Sequence, residues 1–69
     1  MIEIAVLKTW DATDYKAAVQ LVGSLTTYFD GISVARNIPS AEMVVGRYVI
    51  VVIPEANPKD AVVIAVFTL

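Results

Sequence analysis

The chain has no cysteine and no histidine. Without thiols there is neither a disulfide framework nor a thiolate metal site, the usual staples of a small domain. The same two absences remove the commonest general base, the commonest metal ligand and the best protein nucleophile. Ser24, Ser33 and Ser40 have no imidazole to activate them, and nothing in the sequence places a lysine beside them. Positive charge is also scarce, with five Lys and Arg against seven Asp and Glu and a net charge of −2. Lys8, Lys16, Arg36, Arg47 and Lys59 are scattered rather than clustered, so the electrostatic footprint of a nucleic-acid binder is lacking and no such partner is expected. The three glycines, Gly23, Gly31 and Gly46, stand singly, which excludes a Gly-rich phosphate loop. Apolar runs reach about seven residues, against the roughly 20 that span a bilayer as a helix. Glu3 interrupts the start, so no secretion signal is visible and a soluble protein, without a membrane partner, is expected.

What is present is apolar surface. Hydrophobic residues make up 58% of a 69-residue chain, which reads as one small domain over residues 1–69. A domain of that size has little interior, so the surplus must face solvent or meet another subunit. A homo-oligomer is the expectation.

The fold reads most clearly in the last third. Residues 47–53 and 61–67 are two short runs dominated by β-branched side chains, which lose rotamer freedom in helices and sit well on a pleated surface. The connector 54–60 holds Pro54, Asn57, Pro58 and Asp60, so the two runs form an antiparallel hairpin with an extended loop. Residues 2–10 form the opening strand, and Asp11, Thr13 and Asp14 mark a turn in which side-chain oxygens bond the backbone two residues on. Residues 15–29 are ambiguous. Tyr15, Ala18, Val19, Val22, Leu25, Thr26 and Phe29 follow a helical stripe, capped by Asp11 or Thr13. Gly23 would cost such a helix about 1 kcal/mol relative to Ala. Strands at 15–22 and 25–29 are preferred, with a tight turn at Gly23 and Ser24. Asp30-Gly31 is a strong hairpin signal and is expected to turn the chain into a further strand at 32–35. Residues 36–43 carry Pro39 and no clean period, and read as an arm across the end of the sheet with at most one short helical turn. Gly46 is expected to supply a bulge or close approach where a barrel closes. Uncharged windows at 49–53 and 61–66 would be hazardous on an open edge, so barrel closure or subunit packing is needed to cover them.

The carboxylates, Glu3, Asp11, Asp14, Asp30, Glu42, Glu55 and Asp60, fall mostly at expected turns. Asp11 and Asp14 offer too few oxygens for a Ca²⁺ site, and a turn role is the stronger reading. Trp10, Tyr15, Tyr28, Phe29, Tyr48 and Phe67 could stack on bases or sugars, yet the acidic balance favours core or interface roles. Aromatics and Arg are enriched at interface cores, which makes Trp10, Tyr28, Arg36, Arg47, Tyr48 and Phe67 the interface candidates.

The hairpin pattern resembles the small β-barrels of phage tail and baseplate components and of spike proteins in contractile injection systems. The residues that carry the likeness are Val51-Val-Ile-Pro-Glu-Ala-Asn-Pro58, then Asp60-Ala-Val-Val-Ile-Ala-Val-Phe67, with Met43-Val-Val-Gly46 leading in. Trp10-Asp-Ala-Thr-Asp-Tyr15, Ala18-Val-Gln-Leu21 and Tyr28-Phe-Asp-Gly31 match the opening meander. Ala61 and Ala65 depart from it, where proline and glycine are common, which leaves OB-like and SH3-like barrels both open. The resemblance implies a structural particle component, cytoplasmic or virion-associated, with other particle proteins as partners. Gly46-Arg-Tyr48 followed by Val51-Val-Ile-Pro-Glu-Ala56 also looks like the third strand of ferredoxin-like chains that form dimeric α+β barrels. That rival implies a helix at 15–29 and a small-ligand pocket or an oxygenase-like activity.

The expectation is therefore an all-β, small antiparallel barrel of five to six strands that self-associates, without catalytic residues, cofactor or metal. The alternative is a module binding a small ligand or single-stranded nucleic acid.

Overall fold

The computed structural model describes residues 2–23, 28–54 and 60–68. Five strands, β1 (Ile2–Asp11), β2 (Lys16–Leu21), β3 (Tyr28–Val34), β4 (Tyr48–Val52) and β5 (Val62–Phe67), are hydrogen-bonded in a ring in the order β1-β2-β3-β5-β4. The all-β reading holds and the ferredoxin-like alternative falls, because residues 16–21 and 28–29 are extended where it required a helix. The pairing is antiparallel except between β3 and β5, which run parallel and meet only at Ser33–Val62 and Val34–Val63. That one pair departs from the purely antiparallel barrel expected from sequence.

β1 is long because it serves two neighbours. Residues 2–6 pair with β4 and residues 5–11 with β2. The register with β2 shifts between Leu7 and Thr9, leaving Lys8 as an extra residue that bends the strand around the barrel. The hairpin expected from the C-terminal third is present, with Tyr48 opposite Phe67 and Val52 opposite Val62. Its register slips once, at Ile64. The loop expected over residues 54–60 lies mostly outside the described residues, as does the turn residue Ser24.

The Asp30-Gly31 turn requires correction. Residues 28–34 form one strand, and the dipeptide sits in its middle, opposite the single residue Ala18. Gly31 has φ +64°. Two residues facing one, with a glycine at positive φ, make a bulge rather than a reversal. Both devices ask the glycine for the same backbone angle.

Ala5, Leu7, Ala17, Val19, Ile32, Val34, Val49, Val51 and Val63 point inward from all five strands and form one cluster. Among the described residues no buried side chain is polar or charged. The arm after β3 closes one end of this interior. Its Ile38 and Met43 are buried in the cluster, on either side of the expected short turn, a 3-10 helix at Ser40–Glu42.

Candidate functional site: an apolar exterior

Alternation along residues 2–6 of β1 and along β4 and β5 sends every second side chain outward, and over these stretches the outward set is apolar like the inward one. β4 alternates half-buried Tyr48, Ile50 and Val52 with buried Val49 and Val51. Cross-strand register then assembles three rows: Ile2, Val52 and Val62; Ile4, Ile50 and Ala65; Val6, Tyr48 and Phe67. No charged residue enters the grid. Ile2 is 68% exposed, Ile4 46%, and Ile64, at the bulge beside the middle row, 42%. Tyr48 and Phe67 stack with centroids 5.6 Å apart and planes 24° from parallel. A groove of about 350 Å³, lined among others by Val6, Lys8, Leu21, Val22 and Tyr48, borders the patch, with Lys8 the one charged residue among its described lining.

The exterior of β2 and β3 is different. It carries Lys16, Gln20, Tyr28, Asp30 and Ser33, and the Lys16 ammonium donates to Ser33 Oγ at 3.0 Å. This corrects the expectation that no serine has a lysine beside it: the β2–β3 register sets the two opposite each other, a long-range pairing the sequence does not display. Ala18 is buried on this side between Thr9 and the Asp30-Gly31 bulge. A polar groove of about 240 Å³ is lined by Thr9, Asp11, Lys16, Ala17, Asp30 and Gly31. Lys16 is thus flanked by two carboxylates, which weakens any attraction for phosphate.

The six interface candidates do not converge. Tyr48 and Phe67 lie together on the apolar exterior. Tyr28, 51% exposed, stands apart on β3. Arg47 is tied to Glu42, its guanidinium donating to the carboxylate at 3.1 Å and to the Glu42 carbonyl at 3.2 Å. This partly exposed ion pair is worth less than about 1 kcal/mol. Trp10 and Arg36 meet at the closed end of the barrel through Tyr15, which was not among the candidates. The Trp10 ring sits edge-on to Tyr15 at 4.9 Å, and Arg36 lies 5.3 Å over the same ring. Trp10 Nε1 donates to Ser40 Oγ at 3.0 Å, and the Tyr15 hydroxyl donates to the Ile38 carbonyl at 2.6 Å.

Tyr15 also has φ +53°, an uncommon angle for a non-glycine residue. Its carbonyl accepts the Val34 N–H at 3.1 Å. The ring contacts and two hydrogen bonds hold the strained turn and pin the arm over the barrel end. Tyr15→Phe removes only the hydroxyl and leaves the Ile38 carbonyl without that donor. It is expected to lower stability by about 1 kcal/mol, read as a lower urea midpoint with unchanged slope.

The turn before Tyr15 behaves as its residues require. Asp11 Oδ1 accepts the N–H of Thr13 at 3.0 Å and that of Asp14 at 3.4 Å, so this carboxylate is engaged by its own loop. Among the described residues no three acidic side chains come together as a metal site would need. No helix among them is long and apolar enough to cross a membrane.

The aliphatic members of the patch, Ile2, Ile4, Ile50 and Ile64 above all, were missed by a search for aromatic and Arg side chains. For Ile50 and Ile64 the signal is the lack of alternation in residues 48–52 and 62–67; Ile2 and Ile4 join them only through the β1–β4 pairing. No family model, curated protein or solved structure gives a significant match to the chain.

Proposed function

We propose that the protein is a non-enzymatic assembly module that works by self-association, a structural component of a larger particle. The observation that carries this reading is the exterior grid on β1, β4 and β5, nine contiguous apolar side chains with no charge among them, a composition that marks an interaction surface. Among the described residues the interior holds no polar side chain and no three acidic side chains gather, which supports a non-enzymatic reading over a catalytic one. The resemblance to phage tail and baseplate barrels points to the same role.

Within the barrel classes, the OB type fits best. It is a five-stranded, partly open Greek-key barrel, and the two-residue contact between β3 and β5 suits that description. OB barrels commonly bind nucleic acid on the β2–β3 face. Here that face carries Asp30 beside Lys16, with Asp11 at the rim, which favours an assembly role over strand binding.

Size-exclusion chromatography with light scattering at micromolar concentration tests the proposal. A discrete oligomer with a β-rich far-UV spectrum and no salt-sensitive retention on an oligonucleotide column is expected. A well-behaved monomer, or salt-sensitive retention, would overturn it.

A further inference from the structure

We infer that the exterior of β1, β4 and β5 is the contact between two copies of this chain, packed sheet on sheet about a two-fold axis that passes close to Ile50. The inference rests on the self-association reading and specifies its surface and symmetry. Ile50 is the central residue of the grid, with Ile4 on one side and Ala65 on the other, and Tyr48 and Val52 above and below it on β4. A two-fold operator through the middle of a self-complementary patch brings each edge of the patch against the opposite edge of its mate.

Three features select a second copy as the occupant. The first is charge. The chain is net −2, so two copies repel, but the charged residues of the described exterior lie outside the grid and would remain in solvent after docking. An anionic membrane surface would meet the same net repulsion, with Lys8 the one cation among the described residues of the bordering groove to offset it. The second is shape. Three neighbouring strands present a gently twisted, side-chain-ridged surface, and two such surfaces pack about 10 Å apart with their strands roughly 30° out of line. The third is area. Three strands about 4.8 Å apart and about five residues deep cover on the order of 250 Å² in plan, or about 500 Å² of accessible surface with side-chain relief. Two copies then bury on the order of 1,000 Å², the lower bound for a specific interface. A micromolar dimer follows more naturally from that area than a permanent one.

The experiment uses the full chain and three variants. Ile50→Lys places an unpaired charge at the axis, facing its own symmetry mate, while its outward position leaves the interior unchanged. It is expected to weaken association at least a hundredfold, so that light scattering reads a monomer with an unchanged far-UV spectrum. Ile50→Glu is expected to do the same alone, and an equimolar mixture of the two variants is expected to recover the wild-type mass. That recovery is specific to a two-fold contact in which position 50 meets itself. Ile64→Lys, at an exposed bulge, repeats the dissociation if position 50 proves intolerant, and Tyr28→Lys on β3 is expected to leave the mass unchanged. A wild-type oligomer that survives both Ile50→Lys and Ile64→Lys, or is dissociated by Tyr28→Lys alone, overturns the surface while self-association stands. Failure of the mixture to recover overturns the two-fold axis. A monomeric wild type overturns both readings together.

Discussion

Leu7→Ala is expected to lower the free energy of unfolding by about 3 kcal/mol. Leu7 is fully buried and belongs to the cluster fed by all five strands. It also sits where the barrel closes, because its backbone bonds to two segments at once. Leu7 pairs with Val19 of β2, its N–H donates to the Arg47 carbonyl at 2.9 Å, and its carbonyl accepts the Gly46 N–H at 2.9 Å. The surrounding backbone is therefore held on both sides and has little freedom to collapse into the cavity that truncation leaves, which places the loss within the usual Leu-to-Ala range rather than below it. A chain of this length has roughly 3 to 10 kcal/mol of stability in all. Urea unfolding followed by far-UV circular dichroism, at fixed protein concentration because association contributes, should show a clearly lower midpoint with an unchanged slope. A loss under 1 kcal/mol would mean that the interior relaxes around position 7 and that the closure described above is loose.

Much of this architecture could be read from residue types. The β-branched runs gave β4 and β5 within a residue or two, Asp11 announced the turn it caps, and Pro39 marked the connecting arm. Two features resisted for identifiable physical reasons. The Asp30-Gly31 pair satisfies a hairpin and a bulge equally well, because each needs only a glycine at positive φ. What separates them is whether the flanking residues find partners on one strand or two, a long-range fact. The helical stripe through residues 15–29 was a coincidence of spacing, with residues 24–27 outside the described residues. Ala17, Val19 and Leu21 face the interior with a period of two, whereas Ala18 is buried on the outside, against the bulge.

The apolar exterior was legible only in part. The composition announced an apolar surplus, and the uncharged windows located it on the last two strands. Its extension to Ile2, Ile4 and Val6 depends on β1 pairing with β4, a contact between the two ends of the chain that no local pattern encodes. The plug formed by Ile38 and Met43 was hidden for a related reason. Two isolated apolar residues in an irregular arm show no period, and only the finished barrel gives them an open end to fill.

Gly46→Val is expected to destabilise the protein by roughly 3 kcal/mol, through backbone strain alone. Gly46 has φ +99° in the turn before β4 and nothing stands within 4 Å of where a Cβ would be, so the bulge or close approach expected of it gives way to a turn that needs positive φ, and crowding is not the obstacle. The obstacle is that a β-branched residue is a severe outlier at positive φ, and this angle lies well beyond the left-handed helical well near +57°. The turn cannot rotate freely to relieve it. The Gly46 N–H is bonded to Leu7, and the neighbouring Arg47 carbonyl accepts from Leu7 in return, so relief would break the pairing that closes β1 on β4 at this end. Gly31 makes a useful contrast. Its φ of +64° falls inside the left-handed well and its Cβ position is equally open. Asn tolerates that well, so Gly31→Asn should cost under about 1 kcal/mol. Gly46→Asn, set against Gly31→Asn, isolates the backbone angle, because the side chain is then the same and both Cβ positions are open. Hydrogen exchange at the Leu7 amide supplies the local readout. In Gly46→Val its protection should fall further than that of β2 and β3 amides, because the strained turn opens before the barrel does. Equal stability of Gly46→Val and Gly31→Asn, with Leu7 still protected, would show that the β1–β4 closure does not depend on this turn.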